Sequence, residues 1–201
     1  PSATGVNAIA IGDQAVSSGT DSFALGTDTD ATGTASLAIG EGAQATANYN
    51  LSIGLNATAS AERAIAIGNN GVVAGSTYST AIGHNSSFGG STTATGSGAT
   101  ALGGSYASGE NAFAAGIDNN TSSYGATGNN AVSAGNLAKA SGSYSVALGR
   151  QAQASGTQTL AFGYQANAQG TDNISIGREA TTPSWASTSI AIGRNCKTNA
   201  K

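Results

Sequence analysis

Few side chains in this 201-residue chain could carry chemistry, and their spacing gives most of them none to do. His84 is the only histidine and directly follows Gly83. No G-x-S-x-G, phosphate-cradling glycine loop or metal-spaced cluster accompanies it, so it reads as a solvated turn residue rather than a general base. Asp28-Thr29-Asp30 sets two carboxylates two residues apart, as a cation loop does, but lacks the further oxygen ligands that a calcium loop supplies. Cys196 is the only cysteine and can form no intrachain disulfide. It stands three residues after Gly193, where the repeat described below usually has alanine, so it reads as a small buried filler. Neither catalysis nor a metal or cofactor is expected.

A row of cationic and aromatic residues is more informative. Asn136, Arg150, Tyr164, Arg178 and Arg194 each directly follow a glycine of a regular series. In a stacked fold they would lie side by side along one edge, about 4.8 Å apart. Tyr164 between two guanidiniums suits cation–π contact, and Arg178 beside Arg194 repels unless an anion is shared. An acidic glycan or a carboxylate-bearing protein is the ligand such an edge suits. Trp185 and Tyr124 stand in insertions that leave the repeat, where binding residues concentrate, and are two further candidate contacts.

The elements that must position these residues follow from an internal repeat. A unit large–Ala–large–Gly recurs from Ile9-Ala10-Ile11-Gly12 to Ile190-Ala191-Ile192-Gly193, thirteen times in all, mostly at a spacing of 14 residues. A second glycine or alanine often bisects the period, as at Gly19, Gly33, Gly75, Gly90, Gly142, Gly156 and Gly170. Each coil therefore reads as two seven-residue halves, a short strand and a turn in each. Glycine at this frequency and a local period of two both oppose helix. The expectation is an all-β parallel β-roll solenoid of about 14 residues per coil, one array of about thirteen coils over residues 1–201. Insertions are expected near 91–99, 117–127 and 182–186. Both ends cut the pattern inside a coil, so the array is expected to continue beyond them or to stack on neighbours.

Composition agrees with a thin fold. Only 8% of residues are charged and 5% aromatic, and the 39% hydrophobic content is mostly alanine. The net charge of −3 argues against a nucleic-acid partner. Residues 1–100 hold six acids and one base, net −5, whereas 101–201 hold four acids and six bases, net +2. No apolar run is long enough to insert in a membrane.

The alternation of each half assigns the faces. In the first half the residue two before the anchor glycine is Ala or Ser in every coil, and the second half has small residues at the matching offsets, such as Ala43 and Ala45, or Ala152 and Ala154. These shared small faces should meet inside the roll. The other face of the second half is polar, as at Gln44 and Thr46, or Gln153 and Ser155. In the first half it is apolar. Its residues are Ile9 and Ile11, Phe23 and Leu25, Leu37 and Ile39, Leu51 and Ile53, Ile65 and Ile67, then Val146 and Leu148, Leu160 and Phe162, Ile174 and Ile176, Ile190 and Ile192. This reads as an unbroken stripe along one side, too long to stay exposed on a soluble monomer, so copies should pack stripe to stripe. A rival placement, Ile and Leu inside and Ala outside, is opposed by the comparison of the two halves.

The segments Ser145-Val146-Ala147-Leu148-Gly149-Arg150-Gln151-Ala152-Gln153-Ala154-Ser155-Gly156 and Ser36-Leu37-Ala38-Ile39-Gly40-Glu41-Gly42-Ala43-Gln44-Ala45 resemble the YadA-like head repeat of trimeric autotransporter adhesins, roughly S-x-A-I-G-x-x-A-x-A-x-G. The resemblance covers nearly the whole chain. It implies a parallel homotrimer of left-handed β-rolls, the non-enzymatic head of a bacterial surface fibre anchored in the outer membrane. It also implies an extracellular matrix protein or cell-surface glycan as ligand. No neck segment, heptad stalk or membrane anchor accompanies the repeats. Phage tail fibres borrow such heads, so a virion fibre segment is one alternative and a passive spacer another. Ice binding would need threonine at fixed outward offsets, and Thr32, Thr46 and Thr58 are too sporadic.

Overall fold

Seven-residue halves leave room for strands of only two or three residues in most coils, so the turns and their stacking carry much of the fold. The computed structural model describes residues 1–84, 91–116 and 123–198, and among these there is no helix. The first-half strands, Ile9–Ile11, Phe23–Leu25, Leu37–Ile39 and their successors to Ile190–Ile192, form one 13-stranded sheet. The second-half strands, Ser2–Ala3, Val16–Ser17, Asp30–Ala31 and onward to Thr181–Thr182, form another. Every strand pairs in parallel with its equivalent in the next coil, as Ile9 with Phe23 and Phe23 with Leu37. The result is a β-solenoid of about thirteen turns.

Turns stack as regularly as strands. Gln151, Gln165, Glu179 and Asn195 have φ of 53–58°. Such left-handed geometry costs a side-chain-bearing residue roughly 1–2 kcal/mol. Here each N–H donates to a carbonyl of the preceding turn: Gln151 to Asn136 at 2.9 Å, Gln165 to Arg150 at 3.0 Å, Glu179 to Tyr164 at 2.9 Å and Asn195 to Arg178 at 2.8 Å. These bonds offset the strain. The anchor glycine is less replaceable. Gly163 has φ 132°, and a Cβ there would lie 2.6 Å from the carbonyl oxygen of Gly177 in the next coil.

The core is one small side chain thick. Ala24, Ala38, Ser52 and Ala66 of the first sheet face Ala31, Ala45, Ala59 and Ala74 of the second, all fully buried. Among the described residues, two coils carry a buried asparagine where most others have Ala or Ser. Asn50 donates to the Ala59 carbonyl (2.6 Å) and accepts from the Ala64 N–H (3.1 Å). Asn173 likewise donates to the Ala186 carbonyl (3.0 Å) and accepts from the Ser189 N–H (2.8 Å).

Several details depart from the sequence reading. The apolar stripe does lie on the outer face of the first sheet, with Leu25 37%, Ile82 40% and Phe162 51% exposed, but it is not unbroken. Over the central coils Thr80, Thr100, Ala115 and Ala134 occupy stripe positions, as pairing of Thr80 with Ile65 and of Ala134 with Leu148 shows. Nor is the stripe uniformly exposed. Leu51 and Ile53, like Ile65 and Ile67, are half-buried within the single chain. Parallel pairing sets Ile53 directly beside Ile39 on one side and Ile67 on the other, and Ile67 beside Ile82, so each side chain covers part of the next.

The first insertion also lies upstream of 91–99. Thr93–Ala94 pairs with Val73–Ala74, and Gly96 rather than Gly90 stacks on Gly109, so the extra residues precede Thr93. They fall largely in 85–90, outside the described residues, as do 117–122 of the second insertion. Finally, Cys196 is half-buried rather than buried.

Replacing Gly163 with Ala should destabilise the fold by about 2 kcal/mol or more, through backbone strain and the clash with Gly177. Asn173→Ala should cost about 2–3 kcal/mol by stranding two buried backbone groups. Thr157→Ala, at an exposed turn, should stay within about 0.5 kcal/mol of wild type. Denaturant titrations followed by circular dichroism measure all three.

Candidate functional site

Alternate turns project to opposite edges of the solenoid, so residues at one repeat position form a column. The turn-to-turn hydrogen bonds bring Asn136, Arg150, Tyr164, Arg178 and Arg194 into one such column. The Arg150 guanidinium lies 5.7 Å from the Tyr164 ring centroid and that of Arg178 lies 5.6 Å from it, one from each side. Arg178 Nε also pairs with Glu179 Oε1 at 2.9 Å. Arg194 is exposed at the end of the column. Chemically, the edge offers positive charge with one aromatic face.

A second stack of the same kind was not anticipated. On the opposite edge Arg63 lies between Tyr49 (5.2 Å) and Tyr78 (5.4 Å), its Nη1 2.6 Å from Glu62 Oε1 and 3.1 Å from the Tyr78 hydroxyl. Tyr49, Arg63 and Tyr78 all sit at the left-handed position of the second turn. Aligning that turn as the first was aligned would have exposed the column. The one-residue offset of Gly75 hides it, since Ser76 takes the place that Gly19 holds in its coil.

The other candidates are dispersed. Trp185 is 75% exposed on the turn after Thr181–Thr182, across the solenoid from the arginine column. Tyr124 is half-buried and borders a small recess with Gln151 and Asn167. His84 ends the strand Thr80–His84 and is exposed, so it lies in a strand end rather than a turn. Thr29, between the two aspartates, is buried and donates from Oγ1 to the Gly40 carbonyl at 2.8 Å, a structural role. Among the described residues no group of three or more His, Cys, Asp or Glu could hold a metal ion. A recess of about 450 Å³ lies where the stripe thins, bounded by Leu102, Ala115 and Gly135 among others.

The geometry of stacked fourteen-residue coils, alanine inside and Ile or Leu outside, has a counterpart among known families. A family model described as the YadA head domain repeat matches residues 3–29, 31–49, 51–70, 126–152 and 154–180, more than half of the chain. The chain belongs to the YadA head-repeat family. None of the curated proteins matches it. Residues 71–125, outside the matched segments, are where YadA-type periodicity is disturbed by the first two insertions and by the shortened turn Gly103-Gly104-Ser105. Both halves of the array on either side of that stretch keep the head repeat, including the coils that carry Arg150, Tyr164 and Arg178.

Because the arginine–tyrosine stack is solvent-exposed, it should contribute little to folding. Tyr164→Ala should lower stability by about 1 kcal/mol or less, read from the same denaturant titration. A much larger loss would make the column a structural brace rather than a surface.

Proposed function

We propose that the chain is the head segment of a trimeric bacterial surface adhesin, a non-enzymatic attachment module. In this reading three left-handed β-rolls run parallel and join through their stripes, with Ile39, Ile53, Ile67 and Ile176 among the joining residues. The observation that carries it is the sidedness of the solenoid: an apolar outer face on one sheet, half-exposed in the single chain, and a polar outer face on the other. Each large side chain removed from water stabilises by roughly 1.5–3 kcal/mol, and a face repeated over so many coils supplies a long association surface. Membership of the YadA head-repeat family supports the same arrangement. The trimer presents its polar faces and turn columns outward on the cell surface, held there through an outer-membrane anchor. Arg150, Tyr164, Arg178 and Arg194, with Trp185 and Tyr124, are the ligand contacts. Three copies of the arginine column give a weak acidic ligand avidity.

Sedimentation equilibrium should give three times the 19.3 kDa chain mass. Ile39→Asp or Ile176→Asp, which place charge in the stripe, should abolish the trimer, whereas Gln44→Asp on the polar face should leave it intact. A well-folded monomer at micromolar concentration would overturn the assembly. Replacing Arg150, Arg178 and Arg194 together with Gln should remove attachment to immobilised sulfated or carboxylated glycans. Unchanged attachment would leave the column without a binding role.

A further inference from the structure

The last four coils carry a trough that the sequence reading did not identify. Its two sides are the left-handed turn residues of the first turn and the outward residues two positions later. In successive coils these are Gln151 with Gln153, Gln165 with Asn167, Glu179 with Thr181, and Asn195 with Lys197. Stacking at about 4.8 Å per coil turns the pairs into a straight channel. Its larger recess, about 610 Å³, runs from Gln165 to Lys197. A smaller one of about 230 Å³ continues it past Gln151 to the ring of Tyr124. The same two columns in the first coils read Gln14 with Val16, Asp28 with Asp30 and Gly42 with Gln44, so the amide lining belongs to this end of the array.

Three features point to one ligand class. First, the lining is rich in primary amides, which donate and accept at once, as sugar hydroxyls do. Gln165 Nε2 donates to Gln151 Oε1 at 3.1 Å, which holds two of these side chains in place before any ligand arrives. Second, Asn167 borders both recesses, and its Oδ1 is shielded from solvent without a hydrogen-bond partner. Buried polar atoms are ordinarily satisfied; the Asn167 side chain is half-buried as a whole, and a turn of its amide group presents this oxygen to a ligand hydroxyl in the trough. Third, Glu179 and Lys197 bring one charge of each sign, and Glu179 is already paired with Arg178. The lining residues themselves therefore sum to zero formal charge, and the positive charge of this edge lies in the adjoining column of Arg150, Arg178 and Arg194. Tyr124 closes one end with an aromatic ring against which the C–H face of a sugar can pack.

We infer that this trough binds a neutral, linear oligosaccharide, laid along the solenoid axis with its reducing or non-reducing end on Tyr124. The site deepens the adhesive reading and rests on it. It lies on the polar side of the roll, so stripe-to-stripe assembly leaves it open and repeats it three times, giving avidity to a weak single site.

The test is titration of the intact chain with cellohexaose, chitohexaose and maltohexaose, and with a hexameric polyuronate, by calorimetry. At least one neutral hexasaccharide should bind. Asn167→Ala and Tyr124→Ala should each weaken it by about tenfold, the loss of one good hydrogen bond or ring contact. Gln44→Ala, the matching outward position of an early coil, should bind as wild type. Unchanged circular dichroism and sedimentation keep a folding defect from passing as a binding defect. Binding of none of the neutral sugars, of the polyuronate alone, or equally by wild type and both trough variants would overturn the trough. Attachment to glycan-coated surfaces that persists in those cases would leave the adhesive reading standing. A monomer that binds the neutral sugar would remove the trimer and keep the trough.

Discussion

The gap between the two sheets is one small side chain deep, and most other features of the molecule follow from it. Ala24 against Ala31, or Ala66 against Ala74, leaves no space for Leu or Ile. Large apolar groups are therefore pushed to the outside, where Phe162 and Ile82 keep about half of their surface in water. Ile53 and Ile67 keep less, since their stacked neighbours shield them, yet neither is buried by its own chain. Only one of the two sheets carries such residues throughout. A thin core thus makes a two-sided rod, with an apolar outer face that a thicker core would have taken inside.

Thinness also makes the turns unusually important. Neighbouring coils approach so closely that the Gly163 position admits no Cβ. The residue two further on takes a left-handed backbone, and its N–H is held by the coil before. Each turn is consequently fixed relative to the next, and a surface residue acquires neighbours at the same repeat position rather than neighbours in sequence. Arg150, Tyr164 and Arg178 meet for this reason, as do Tyr49, Arg63 and Tyr78. A solenoid of this kind sets its surface residues in columns, and the charge imbalance between the two halves of the chain becomes a gradient along its length.

The coils that break the period repay comparison with those that keep it. Over residues 3–70 and 126–180 the head-repeat match holds almost without a break, and there the stripe has two large residues per coil, Ala134 excepted. In and just after the disturbed stretch, Thr80, Thr100, Ala115 and Ala134 stand on the outer face, and an apolar recess opens beside them. The stacking register survives nonetheless, because strand pairing depends on backbone groups that every residue except proline carries.

The period, the strand–turn halves and the sidedness were all legible in the one-dimensional pattern, because a stacked repeat contacts only its neighbours and each coil restates the same packing problem. The arginine–tyrosine column was legible on the same ground, since its members share one offset from the anchor glycine. Where a coil gains or loses a residue, counting fails: Gly90 and Gly96 serve equally well as half-repeat glycines on paper, and only pairing of Thr93 with Val73 decides between them. The buried roles of Asn50 and Asn173 were likewise invisible, because an asparagine in a small-residue slot tells nothing of the two backbone groups it reaches. The amide trough needed the tertiary structure most of all, for it arises from two columns of different offset, and how two columns lean towards each other depends on turn geometry rather than on spacing.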